Sequence, residues 1–251
     1  MKIAICFYGL PRYSEYTLST LKKYLLDLYD IDIYAHLWWS NEMIGQYKHR
    51  SSEDIWEADT IDILKNKLHF KKLFTEPQIK FDISDCKPCS PEPDLCHLPE
   101  IICKDTIFGV VSKWHSVHKA FSLIDNVNDY DFIIMARLDS DYSGPIDLSK
   151  LKPYILYLQD GYRAGWDRKY DDVFAVGSPD VIKFFADIYK YIGKYHKNGL
   201  VHMHLYLDKM MNQDIPVCHE LYSFGVWYLH ESLFKTRRKH IHLTNSIDLI
   251  K

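Results

Sequence analysis

No run of about 18 apolar residues occurs anywhere in the 251-residue sequence, which excludes a membrane-spanning helix by length. Charge of one sign is not in excess either. Lys and Arg number 31 against 34 Asp and Glu, a formal net charge of -3, so bulk electrostatics give no reason to expect a nucleic-acid partner. Internal repeats and low-complexity tracts are absent. The opening MKIAICFYGLPRY has only a short apolar run, ended by Gly-Leu-Pro-Arg with no small-residue cleavage pattern, so it does not read as a secretory signal. The expected location is cytoplasmic.

What is present is an ordinary globular composition, 47% hydrophobic and 26% charged, read as a single domain spanning residues 1–251. Aromatics reach 15%, with 19 Tyr. That surplus suits a groove for sugars or bases, or a core. Four of six cysteines lie close together, Cys86, Cys89, Cys96 and Cys103, spaced C-x2-C-x6-C-x6-C beside His97. The first pair is a good chelate, but the second half departs from the repeated short pair of zinc sites. Structural zinc and free or locally bonded thiols remain two readings, with the thiols favoured. The Cys- and Pro-rich stretch, about 82–103, has no periodicity and reads as an excursion.

Periodicity organises the remainder. Lys2 to Tyr8 reads as a core strand, ended by the turn Gly9, Leu10, Pro11, Arg12. Leu18, Leu21, Leu25 and Leu28 make one apolar face of a helix from about Ser14 to Leu28. Ile31 to Leu37 is a second strand, so the opening reads as a parallel βαβ unit. Further helices are expected over Ser52 to Leu68, Thr106 to Leu123, Ser178 to about Tyr191 and His202 to Asn212. Short strands are expected within Phe74 to Phe81, Tyr154 to Leu158 and Val173 to Val176. The fold class is therefore α/β, with a mixed, mostly parallel sheet flanked by helices.

The stretch Tyr130 to Gly144, YDFIIMARLDSDYSG, concentrates the chemistry. Phe132 to Ala136 is continuously apolar, as a strand buried on both faces must be. Arg137 and Leu138 then lead to two acids one residue apart, Asp139 and Asp141, in a loop set by Ser140, Ser143, Gly144 and Pro145. Carboxylates at the exit of a core strand stand where open α/β sheets bind ligands. Such a pair suits a hard divalent cation, Mn2+ or Mg2+, that also touches substrate phosphates.

Taken in order, KIAICFYGLPR, GVVSKWHSVHKAFSLI, YDFIIMARLDSDY and DDVFAVGSPD resemble small nucleotide-sugar-dependent glycosyltransferases of GT-A fold. These occur in bacterial polysaccharide clusters and large DNA viruses. The resemblance spans most of the chain. It implies a Rossmann-related GT-A-like sheet, a nucleotide-sugar donor and a glycan or related hydroxyl acceptor. Asp139 and Asp141 match the Asp-x-Asp pair that holds the cation against the donor diphosphate. Tyr8, Gly9 and Arg12 would border the nucleotide. The segment His202 to Asp208 departs from the pattern, where relatives often carry a Glu-containing segment.

Individual residues carry rival readings. Arg12 suits a phosphate, or solvent. Arg137 suits the donor pocket, or a nearby carboxylate whose loop it positions. Asp171, Asp172 and Asp208 are candidate bases for the acceptor hydroxyl, against turn or surface roles. His204 or His202 would complete a metal shell, or lie on a solvated helix face. Trp166, Trp38 and Trp39 suit sugar stacking or burial. His115 and His118, in a packed helix, read as satisfied polar residues. Nucleotidyl transfer or phosphohydrolysis is the alternative chemistry, though the phosphate-gripping Gly/Lys loop it usually uses is absent. A non-catalytic glycan-binding module is the third reading.

Overall fold

In the computed structural model the described residues are 1–48, 54–82, 100–160, 170–192 and 226–229. Their strands form one seven-stranded sheet in the order β3-β2-β1-β4-β6-β5-β7. These are β1 (Ile3–Gly9), β2 (Ile31–Trp38), β3 (Lys72–Glu76), β4 (Phe132–Ala136), β5 (Leu156–Asp160), β6 (Tyr170–Gly177) and β7 (Val226–Leu229). The β3-β2, β2-β1, β1-β4 and β5-β7 pairs are parallel, while β6 runs antiparallel to both β4 and β5. The sheet is thus mixed and mostly parallel. The expected βαβ opening is present, with Ile3 opposite Ile31 and Gly9 opposite Leu37.

Helices cover both faces, which explains the unbroken apolar runs of β1 and β4. On β1, Ile3, Ile5 and Phe7 point toward α1 (Glu15–Leu21) and α2 (Thr60–Leu68), meeting Leu18, Leu21, Leu64 and Leu68. Ala4, Cys6 and Tyr8 point the other way, toward α3 (Glu100–Ser122) and α4 (Pro179–Asp187). There Val110, Trp114 and Val117 of α3 pack with Phe185 of α4. Val110, Trp114, Val117, Phe121 and Ile124, spaced to share one face, are all buried. Ser14 caps α1 with a capping box, its hydroxyl accepting from Thr17 N–H while Thr17 Oγ1 accepts from Ser14 N–H.

Several boundaries differ from the sequence reading. The first helix gives way after Leu21 to a π-turn, Lys22–Leu26. The helix expected from Ser52 begins only at Thr60. Before it, Ile55 and Trp56 form isolated bridges with Tyr47 and Ile44, and the Trp56 ring packs edge-on to Trp39 at 5.7 Å. Burying that indole draws the backbone into extended pairing rather than a helical turn. The third helix starts at Glu100 rather than Thr106, so the end of the expected excursion is helical. Residues 83–99, with Cys86, Cys89 and Cys96, lie outside the described residues, as do the Cys103 side chain and the expected helix carrying His204 and Asp208. No helix among the described residues is long and apolar enough to cross a membrane.

Trp114 is fully buried where α3 meets α4, 5.1 Å from the Phe185 ring. Trp114→Ala should cost about 3–5 kcal/mol of folding stability, read by denaturant unfolding. Ile79→Ala, at a position 40% exposed, should cost less than about 1 kcal/mol.

Candidate functional site

The chain enters the sheet at β1, builds outward through β2 to β3, then returns to place β4 on the other side of β1. Strand order therefore reverses between β1 and β4. Open α/β sheets bind ligands at the carboxyl ends of the strands flanking such a reversal. The register sets Phe7 opposite Ala136, so the turn Gly9–Arg12 and the segment Arg137–Asp141 leave the sheet side by side.

The side chains converge there. Arg137 donates from Nε to Asp139 Oδ1 at 2.7 Å and from its terminal nitrogen to Oδ2, a two-pronged pairing. Arg12 Nε stands 3.6 Å from the same Oδ2. Two guanidinium groups thus share one partly exposed carboxylate at this edge of the sheet. Gly9 supplies the bend, with φ of +95°, a conformation side chains with a Cβ rarely adopt.

Asp141 differs from Asp139. It is only 5% exposed and lines a cavity of about 390 Å³ with Tyr16, Thr20, Lys23 and Ser143, between the loop and α1. Thr20 Oγ1 accepts from Tyr142 N–H at 3.3 Å and ties the loop to that helix. Both acids are of the donor type that Mn2+ or Mg2+ takes.

The other side of β1 holds a second polar group. Gly9 N–H donates to Ser116 Oγ at 2.7 Å, and that oxygen lies 2.7 Å from His36 Nδ1. His36 Nε2 is 2.9 Å from Glu76 Oε1, and His115 Nε2 is 3.8 Å from the same oxygen. His115 is therefore not the satisfied helix residue that the sequence suggested, since its Nε2 is buried without a hydrogen-bond partner among the described residues. Trp38, proposed as a sugar platform, is 2% exposed and stacks on His115 at 5.4 Å. It is a buried wall of this cluster.

Both histidines are held below the ordinary imidazole range. For His36 the cause is burial, opposed by Glu76. His115 is pushed down to about 4 by burial and then by His36 and Lys119.

The sequence reading placed Arg12, Arg137 and Asp139 at one sheet edge, and the structure brings their side chains together. Tyr8 is buried against α3. Asp171 and Asp172 lie at the start of β6, which runs antiparallel to β4 with Phe174 opposite Ala136. Their backbone therefore comes to the same edge as Arg137. Asp208, His202, His204 and Trp166 are outside the described residues. The cluster of His36, Glu76 and His115 went unread. Its one signal is a histidine inside the otherwise apolar run YAHLW. The chain matches no family model and no curated protein.

The buried imidazoles resist protonation in the folded state but not when unfolded. Between about 6.5 and about 4, the ordinary and folded values for His115, the unfolded chain binds more protons, so stability falls as pH falls. Thermal melts over that range should show a declining midpoint. His115→Gln should flatten the decline; an unchanged slope in that variant would contradict the assignment.

Proposed function

We propose that the crevice between β1 and β4 binds a nucleotide sugar and that the chain transfers the sugar to a hydroxyl of a glycan or related acceptor, on a GT-A-like scaffold. One observation carries this reading. At the reversal point of the sheet, Arg12 and Arg137 gather on Asp139 beside the Gly9 bend. Guanidinium groups at that place suit the two phosphates of a diphosphate, whose negative charge grows as the bond to the sugar breaks. The order of sequence motifs supports the sugar-nucleotide class over other phosphorylated ligands.

Each residue has a task under this reading. The Gly9 bend lets the donor approach the backbone without meeting a Cβ. Arg12 meets the leaving diphosphate. Arg137 holds Asp139 in a fixed orientation. Asp139 and Asp141 would hold a divalent cation, which when bound adds positive charge beside the departing diphosphate. Asp172, whose backbone comes to the same edge on β6, would take the acceptor's hydroxyl proton.

The test is a donor-hydrolysis screen across nucleotide sugars with Mn2+ present, since such transferases leak slowly to water. Release of a nucleoside diphosphate and free sugar is expected from at least one donor. Asp139→Asn and Arg12→Ala should each slow that release by about 100-fold or more. Release of inorganic phosphate or pyrophosphate instead would favour phosphohydrolysis or nucleotidyl transfer. Binding without turnover, unaffected by either substitution, would overturn the reading.

A further inference from the structure

We propose that His36, Glu76 and His115 form a binding site for a zinc-class divalent ion, separate from any ion at Asp139 and Asp141. The three side chains come from three elements, β2, β3 and α3, and their donor atoms all lie within 4.8 Å of one another. Two imidazoles and a carboxylate are a donor set that borderline transition metals prefer and that Mg2+ does not.

The distances fit. Donors about 2.0–2.1 Å from a tetrahedral zinc stand about 3.3 Å apart. The separations from Glu76 Oε1, 2.9 Å to His36 Nε2 and 3.8 Å to His115 Nε2, bracket that value. A carboxylate movement of about half an ångström would even them out.

The far nitrogens are also anchored. His36 Nδ1 sits on Ser116 Oγ at 2.7 Å, and His115 Nδ1 on the Tyr189 hydroxyl at 3.0 Å. Such outer contacts fix which nitrogen faces a metal. Ser116 Oγ accepts from Gly9 N–H, donates to the His36 carbonyl at 3.1 Å, and so has a lone pair left for a proton on His36 Nδ1. In that arrangement His36 Nε2 carries no proton and turns a lone pair toward Glu76. Without the metal, the imidazole proton sits on Nε2 and donates to Glu76, while the Ser116 hydroxyl turns to donate a hydrogen bond to the bare Nδ1. Hydrogen bonding closes that half of the cluster in either state. It leaves His115 Nε2, buried and without a partner among the described residues, unaccounted for. A metal ion accounts for it.

Glu76 is 24% exposed, which gives the ion a path from solvent and a side for a fourth ligand. Phe74, Trp38 and Phe81 wall the remainder with rings. The bound ion would clamp the carboxyl ends of β2 and β3 to α3 and, through Ser116, steady the Gly9 bend on the far side of β1.

The test uses the full chain, stripped with a chelator and titrated with Zn2+ and then Co2+. One zinc equivalent should bind at this cluster and raise the melting midpoint. Cobalt should give visible ligand-field bands from nitrogen and oxygen donors. His115→Gln and Glu76→Gln should each weaken that binding by about 100-fold or more and abolish the rise in midpoint, while Asp139→Asn keeps both. Replacing Cys86, Cys89, Cys96 and Cys103 with Ser should leave the nitrogen–oxygen cobalt spectrum intact, a measurement that holds even if a ligand variant misfolds. The proposal is overturned by no binding, by cobalt spectra of thiolate type alone, or by full affinity in both His115→Gln and Glu76→Gln.

Discussion

The parallel pairing of β1 with β4 is the constraint on which the other features depend. It joins strands separated by more than 120 residues of chain, with Ile3 opposite Phe132 and Phe7 opposite Ala136. Burial of both strands on both faces holds it, because alternate residues of each reach separate cores. A slip of one residue would turn every side chain to the wrong core. That register delivers the Gly9 turn and the Arg137–Asp141 loop to one spot. The meeting of Arg12, Arg137 and Asp139 is thus a product of sheet order, and these charged residues need no long-range attraction to find each other.

Two polar groups flank that pairing, and Gly9 leads to one and is bonded to the other. On one side its turn leads to Arg12, which approaches Asp139. On the other its N–H is held by Ser116, and through it by His36 and Glu76. Burying two histidines and a serine this close to a core is costly unless each finds partners. The buried chain from Gly9 to Glu76 answers most of that demand and fixes the backbone where a ligand would approach.

Legibility followed burial on both faces. FIIMA and IAICFY admit one reading because a continuous apolar run must be covered twice, and β1 and β4 lie where the sequence placed them. Tertiary packing overrode local propensity at Ile55 and Trp56, where burying an indole against Trp39 outweighed a helix-like charge pattern. β7 was missed because the four residues VWYL are too short for a period to emerge. Within the site, Arg12, Arg137 and Asp139 were legible because each follows a core strand closely. His36, Glu76 and His115 were not, since their meeting depends on how β2, β3 and α3 stack, and no spacing in one segment encodes that.

Hydrogen exchange on the full chain, with and without a nucleotide sugar and Mn2+, tests the central claim most directly. Added ligand should slow exchange at the amides of residues 8–12 and 137–143 above all others, because those two segments form the crevice at the reversal of the sheet. Measurable binding that leaves both segments unchanged would contradict it.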